Sequence, residues 1–184
     1  MAAEIYGNYK SMALKPFAEK LRSDYYNAIA TSCGNAKKQC EKIQSIERQA
    51  PPLQYASLCA GVIADIEKHV SGRMLIHIPY LHKLSAKVAD SHDCSQCSGG
   101  CRMAHDMHIT ELSVTNAGMS KALSRLHMAT LPLYSETCFP DEYRVLRSAM
   151  TILETNLTEL FFLERNYLVP KIAEAQGSIN AGSK

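Results

Sequence analysis

Residues 141–170, DEYRVLRSAMTILETNLTELFFLERNYLVP, carry the hydrophobic pattern that decides the fold. Apolar residues recur there at alternating steps of four and three, which is the spacing of one face of an amphipathic helix. The stripe comprises Leu146, Met150, Leu153, Leu157, Leu160, Glu164 and Tyr167. A carboxylate on a core face is costly unless it is paired or binds a metal ion. The stretch therefore predicts a long helix with one charged position, Glu164, in its buried face.

The rest of the chain contains three more helical segments and no alternating strand pattern. The expected helices run from about Pro16 to Gln49, from Leu53 to Ala89, from Cys101 to Met128, and from Asp141 to Pro170. A proline should kink or end the second helix at Pro79 and break the fourth at Pro170. Long helices with short connections predict an all-α fold, an antiparallel up-down-up-down four-helix bundle.

We expect residues 1–184 to form a single helical-bundle domain, with a Cys-rich loop at 91–101 and a flexible polar tail from about residue 174. The net charge of +2 gives no electrostatic footprint for nucleic acid, and no apolar run approaches the roughly 20 residues of a membrane span. Seven cysteines, an odd number, suit a reducing compartment with free or metal-bound thiols. These features predict a cytoplasmic protein that binds neither nucleic acid nor membranes.

The stretch 91–108, SHDCSQCSGGCRMAHDMH, contains the strongest chemical motif. The spacing C-x2-C-x3-C-x3-H joins Cys94, Cys97, Cys101 and His105. Cysteine thiolates and imidazole are ligands of structural zinc, and a helix from Cys101 would place His105 one turn later on the same face. The same ligands could hold iron, including an iron–sulfur cluster with a further cysteine. A reversible disulfide and a loop that merely connects two helices are the other interpretations.

Polar residues also interrupt the apolar faces of the predicted second and third helices. On the second helix, His69 and Arg73 lie one turn apart in the stripe, and on the third, His105 and His108 share a face with Leu112. Histidines and carboxylates that project inward from facing helices are how bundles build metal centres. A lone core histidine is more often simply hydrogen-bonded, and Glu164 could instead pair with Arg73.

Two short motifs resemble those of the hemerythrin-like cation-binding bundles, whose helices carry H-x-x-x-E with a proline ten residues after the histidine. In HVSGR, residues 69–73, Pro79 follows His69 by ten residues, and in LFFLE, residues 160–164, Pro170 follows Leu160 by ten. The resemblance implies a hemerythrin-like four-helix bundle with metal ligands at His69 and Glu164. It also implies a third-helix ligand, matched by His105 and less well by His108.

This chain departs from the family pattern at three positions. Arg73 replaces a carboxylate, Leu160 replaces a histidine, and the first helix offers no histidine. Because arginine remains protonated, it puts a positive charge where a cation would bind. We therefore predict that Arg73 and Glu164 form a buried pair near His69 and His105, in place of a di-iron centre.

Three functions are compatible with these motifs. The favoured one is a small non-catalytic metal-binding bundle that holds zinc or iron and acts in sensing, redox response or metal handling. The second is an interaction module with a structural zinc knuckle, whose partner is another protein or a second copy of the chain. The third is a non-heme iron enzyme acting on dioxygen, a peroxide or nitric oxide. The sequence contains no phosphate-binding loop or nucleophile motif that would indicate a kinase or hydrolase.

Overall fold

The computed structural model describes residues 2–48, 50–94, 97–135 and 141–181, and within these ranges it consists of helices without any β-strand. The α-helices are α1 (Ala2–Ser11), α2 (Leu14–Leu21), α3 (Asn27–Ile46), α4 (Ala50–Gly72), α5 (Ile78–Ala89), α6 (Gly100–Thr130), α7 (Asp141–Leu163) and α8 (Val169–Ala181). A 3-10 turn, Leu131–Ser135, follows α6. The predicted all-α class is confirmed.

Three π-helical turns join these helices in pairs. The turn Arg22–Tyr26 links α2 to α3, Arg73–His77 links α4 to α5, and Glu164–Leu168 links α7 to α8. At the end of each turn a backbone N–H bonds to the carbonyl five residues earlier, as from Ile78 to Arg73. Together with α6, the joined pairs make four long helices, as the hydrophobic pattern predicted.

The two prolines expected to interrupt the long helices do not end them. Two of the π turns end two residues before a proline, at His77 before Pro79 and at Leu168 before Pro170, so each ring follows a widened turn rather than a regular one. Proline lacks an N–H and clashes with the carbonyl four residues earlier in a regular helix, and a π turn displaces that carbonyl. In the second of these turns, Asn166 Nδ2 donates to the carbonyl of Phe162 at 2.8 Å.

The flexible tail expected from about residue 174 is not observed up to Ala181, because α8 continues to that residue. Its inner face remains apolar beyond the proline, where Ile172 and Ile179 are fully buried and Ala175 is nearly so. Burial of this face stabilises a helix whose polar composition had suggested a tail. Residues 182–184 of that prediction lie outside the described residues.

The core lies where the long helices face one another. Helix α3 contacts α4 and α7, α5 contacts α2 and α8, and α6 contacts α4 and α8. Of the predicted stripe on the fourth helix, every member from Leu146 to Glu164 is buried. Helix α1, which was not predicted, packs its Tyr9 ring against Phe17 with the centroids 5.7 Å apart.

Each π turn shifts the buried face by one residue. Steps of three and four predicted Arg73, Ile76 and Tyr80 in the core, but Ile76 is 48% exposed. The buried side chains after Arg73 are His77, Ile78 and Leu81. The same shift follows Glu164, after which Leu168 is fully buried while Tyr167 is only half-buried. A π turn contains one residue more than a regular turn, so the stripe after it advances by that residue.

No helix in the described part of the chain combines the length and the hydropathy that crossing a membrane requires.

Candidate metal centres

A buried ion pair lies where the π turns of α4–α5 and α7–α8 face each other. Arg73 Nε donates to Glu164 Oε1 at 3.0 Å, and Nη2 lies 3.4 Å from Oε2. The side chains are only 2% and 1% exposed. The predicted Arg73–Glu164 pair is therefore confirmed.

Other side chains complete the hydrogen bonding of this pair. Tyr26, in the first π turn, donates its hydroxyl to Glu164 Oε1 at 2.8 Å, and Asn116 Nδ2 donates to Oε2 at 2.7 Å. On the other side, Arg73 Nη2 donates to Thr115 Oγ1 and to Asn116 Oδ1, both at 2.8 Å. Buried charges require this degree of compensation, because an unpaired one costs several kcal/mol.

The arrangement leaves the Glu164 carboxylate with little capacity for a cation. Both of its oxygens accept hydrogen bonds, and the positive guanidinium of Arg73 lies against them. Burial and the adjacent Glu164 carboxylate also raise the pKa of Tyr26 well above its usual value, so the phenol stays protonated as a donor. Glu164, a predicted metal ligand, is thus held as the acceptor of an internal network.

A second polar group adjoins the pair through His77. Arg73 Nη1 lies 3.2 Å from His77 Nε2, and His77 Nδ1 lies 3.3 Å from His108 Nδ1. Glu111 Oε2 is 3.5 Å from His77 Nε2. The ligand atoms of His77, His108 and Glu111 lie within 4.8 Å of one another, so these three could also hold an ion.

The other two predicted histidines lie outside both groups. His69 packs edge-on against Phe161, with ring centroids 5.4 Å apart, and its Nε2 is buried without a hydrogen-bond partner. Burial and the charge of Arg73 lower the pKa of His69 to about 3. His105 Nε2 lies 3.9 Å from Asp106 Oδ1.

The cysteine loop is built on the end of α5 and the start of α6. The N–H of His92 bonds to the Lys87 carbonyl at 3.0 Å, which turns the chain off α5. The N–H groups of Cys97 and Gly100 then bond to the carbonyls of Cys94 and Cys97 in successive turns. Gly99 has a φ of +79°, a left-handed conformation that glycine adopts without strain.

These turns bring His92, Cys94, Cys97 and Cys101 together, with their ligand atoms all within 4.8 Å of one another. His92 Nε2 lies 3.5 Å from Cys101 Sγ. Tetrahedral zinc with bonds of about 2.3 Å to sulfur and 2.05 Å to nitrogen would separate two such atoms by about 3.6 Å. The group could hold a metal ion, and its fourth member is His92 rather than His105.

The electrostatics of the loop favour at least one thiolate. The backbone N–H of Cys101, at the start of α6, is the largest of several hydrogen bonds that lower the pKa of Cys97 to about 6. Burial, together with the neighbouring thiols, raises the pKa of Cys94 to about 11. Lys87 Nζ also donates to Cys101 Sγ at 3.0 Å. A divalent cation would stabilise the further deprotonation of this group.

The cysteines divide into two kinds. Cys33, Cys40 and Cys59 are buried among apolar side chains, and burial raises the pKa of each thiol, to about 12, 11 and 12 respectively. Cys94 and Cys97 are half-buried and Cys101 is buried, and none of these six cysteines forms a disulfide. Cys138 lies outside the described residues. Among the cysteines that the structure describes, the ones that a metal could reach are therefore those of the loop.

Sequence reasoning did not select His92, His77, Glu111 or Asn116. His92 directly precedes the motif, but helical spacing from Cys101 favoured His105 instead. His77 follows Arg73 by four residues, which would have been a signal if the π turn had been anticipated. Asn116 lies beside Thr115 and off the apolar stripe, so the hydrophobic pattern contains no signal for it.

No known family's model matches this chain, and the searches of curated proteins and of solved structures likewise gave no match.

Proposed function

We propose that this protein is a non-catalytic metal-binding helical bundle that holds one zinc ion between His92, Cys94, Cys97 and Cys101. Its role would be in sensing, redox response or metal handling. The observation that carries the proposal is the convergence of these four side chains within 4.8 Å. Three thiolates and one imidazole are a common closed ligand set of structural zinc.

Three features of the loop support this proposal. The helix start at Cys101 favours a thiolate at Cys97, which is the form that binds metals. The half-buried position of Cys94 and Cys97 leaves a route for an ion from solvent. The left-handed conformation at Gly99 lets the chain turn tightly enough to bring Cys97 and Cys101 together. Iron bound by the same thiolates is the alternative occupant.

We further propose that the bundle is hemerythrin-like, with up-down-up-down topology. Helix α2 contacts α5 and α8, whereas α3 contacts α4 and α7, which is the pattern of antiparallel neighbours. Arg73 and Glu164 occupy the positions at which the resembled family carries metal ligands, and here they bind each other. In this proposal the bundle retains the architecture while the metal has moved to the cysteine loop.

Metal analysis of protein purified without air or chelator tests the main proposal. We expect about one zinc ion per chain and no visible colour, because zinc has a filled d shell. Brown protein containing iron would assign the site to iron instead. The double substitution Cys97→Ser and Cys101→Ser should remove the zinc held by the loop, since serine hydroxyls are poor ligands at neutral pH.

Cys33→Ala is the matched control, because it removes a buried thiol that is not part of the loop group. It should retain the wild-type metal content. Equal metal content in the double variant and the wild type, with unchanged circular dichroism, would exclude the loop as the binding site.

The second candidate is an interaction module, and one observation favours it. Met103, Met107 and Val114 lie along one side of α6, directly after the loop, and are 73%, 57% and 64% exposed. Exposed methionines are frequent on adaptable binding surfaces. If a second copy of the chain binds this side, sedimentation should show a concentration-dependent dimer that Met107→Lys dissociates. A monomer at all concentrations would remove self-association as the role of this surface.

A further inference from the structure

A second group of ligand-type side chains lies inside the bundle, apart from the cysteine loop. We propose that His77, His108 and Glu111 form a separate binding site for a first-row divalent transition ion, such as zinc, cobalt or ferrous iron. Two imidazoles and one carboxylate with open remaining positions are a typical ligand set for these ions. The site uses neither the loop cysteines nor the Arg73–Glu164 pair as ligands.

The distance between the two imidazoles fits a shared ion. His77 Nδ1 and His108 Nδ1 are 3.3 Å apart. Two nitrogens bound to one tetrahedral ion at about 2.0–2.1 Å lie about 3.3–3.4 Å from each other. The rings are inclined by 72°, and Tyr80 stacks on the His108 ring at a centroid distance of 3.8 Å. The second imidazole is therefore held in place from its other face.

Both imidazoles are available as neutral ligands. Burial and the nearby Arg73 lower the pKa of His77 to about 3, and burial also lowers the pKa of His108. The local charges favour a cation despite the guanidinium, because Glu164 pairs with Arg73 and Glu111 contributes a further negative charge. The half-exposed Glu111 side chain can adjust toward an entering ion.

Without a bound ion, the tautomer of neutral His77 is set by Arg73. A guanidinium only donates hydrogen bonds, so His77 Nε2, 3.2 Å from Arg73 Nη1, must carry a lone pair. The ring proton of neutral His77 then lies on Nδ1 and is directed at His108 Nδ1. Metal binding at Nδ1 requires that this proton move to Nε2. The Arg73 guanidinium must then turn away from Nε2, because two N–H donors cannot share a hydrogen bond.

Binding would therefore remove one hydrogen bond without disturbing the rest of the network. The bond from Arg73 to His77 would be lost, while the bonds of Arg73 to Glu164, Thr115 and Asn116 would remain. No net proton is released, because the proton moves between the two nitrogens of one ring. This predicts an imidazole tautomer change at His77 that accompanies occupancy of the site.

The site also has an approach from solvent. Glu111 lines two surface clefts, one of about 430 Å³ that includes His69 and Arg73, and one of about 760 Å³ that includes Met107. An ion could reach the carboxylate from either cleft before it meets the buried imidazoles. A simple His–His hydrogen bond is the competing explanation of the 3.3 Å distance, and a titration distinguishes the two.

The test is a calorimetric titration of zinc chloride, repeated with cobalt chloride, into the full chain carrying Cys94→Ser, Cys97→Ser and Cys101→Ser. These changes remove the loop thiols, so the result is independent of the loop proposal. We expect about one ion to bind per chain, and Glu111→Gln in this background should weaken the affinity by at least about tenfold. His108→Gln should abolish binding.

Glu154→Gln is the matched control, because Glu154 also faces a histidine and its side chain has the same 37% exposure as Glu111, but it lies in no such group. It should leave the affinity unchanged. Histidine nitrogen NMR should show the His77 tautomer change on addition of zinc. Absence of binding in a background variant with wild-type circular dichroism, or equal affinities for Glu111→Gln and Glu154→Gln, would overturn the proposal.

If the background without the loop thiols does not fold, cobalt binding to the wild-type chain replaces it. The proposal then expects a second equivalent of cobalt that adds no sulfur charge-transfer absorption and is lost in Glu111→Gln. A titration that saturates at one equivalent of cobalt, the one bound by the loop, would contradict the proposed site.

Discussion

The centre of the bundle and the cysteine loop both contain conspicuous polar residues, but those residues have different partners. At the centre, Glu164 accepts hydrogen bonds from Arg73, Tyr26 and Asn116. In the loop, three thiols and one imidazole converge, and they form hydrogen bonds with one another and with Lys87. Burial of a carboxylate thus does not by itself indicate a metal site. The more informative feature is a set of thiol and imidazole side chains whose ligand atoms lie within 4.8 Å of one another.

This difference separates the expected consequences of mutation. A change at the centre should act on the stability of the bundle, because a buried charge loses its partner. A change in the loop should act mainly on metal binding, since the loop connects helices that are already packed.

Arg73→Met should reduce the free energy of unfolding by about 3–5 kcal/mol, because the Glu164 carboxylate would remain buried without its cation. Chemical denaturation followed by circular dichroism measures this loss. The double variant Arg73→Met with Glu164→Leu should recover much of it, since no buried charge would remain. A nearly neutral Arg73→Met would mean that the pair contributes little and that the centre is not the closed network described above.

The pH dependence of stability should reveal the buried neutral imidazole of His69. Its pKa is about 3 in the folded protein, against 6.5 for the free side chain, so the unfolded chain binds more protons between these values. The contribution of the neutral His69 to the free energy of unfolding is therefore fully present above about pH 6.5. It is lost as the pH falls toward 3. Each such histidine contributes a slope of up to about 1.4 kcal/mol per pH unit.

His69→Leu should reduce the slope of the unfolding free energy against pH between pH 6 and pH 4. The expected reduction is about 1.4 kcal/mol per pH unit, which corresponds to one bound proton. Above pH 7 the substitution should change only the offset between the two curves, because His69 is neutral in both states there. Parallel curves over the acid range would show that His69 is accessible to protons in the folded bundle.

Gly99→Ala should have a smaller effect, confined to the loop. A side chain at a φ of +79° costs about 1–2 kcal/mol, although no atom lies within 4 Å of the position where the Cβ would stand. We expect a loss of about 1 kcal/mol in stability and weaker metal retention. Gly100→Ala, at the first residue of α6, is the control and should be neutral or slightly stabilising. Equal effects of the two substitutions would contradict the role assigned to the Gly99 turn.

Much of the fold was predictable because the hydrophobic spacing persists over long segments. The stripe from Leu146 to Leu160 is buried throughout, and Glu164 and Arg73 meet as their positions on the two stripes predicted. Beyond those two residues the spacing fails, because each begins a π turn that advances the buried face by one residue. The periodicity of a regular helix does not include that extra residue, so it placed Ile76 in the core and missed His77.

The cysteine site was predictable in its thiols but not in its imidazole. Cys94, Cys97 and Cys101 are close in sequence, and any tight turn would bring them near one another. The fourth position depends on which histidine the chain direction places beside Cys101. His92 reaches it because the loop folds back from the end of α5, a tertiary effect that helical spacing from Cys101 could not reveal.

The contrast between a closed centre and an open loop is tested most directly by the X-ray absorption spectrum of the metal in anaerobically purified protein. We predict a first coordination shell of three sulfur atoms at about 2.3 Å and one nitrogen at about 2.0–2.1 Å. That shell corresponds to Cys94, Cys97, Cys101 and His92. A tightly bound metal whose shell contains only nitrogen and oxygen would contradict the assignment, because it would place the metal inside the bundle rather than in the cysteine loop.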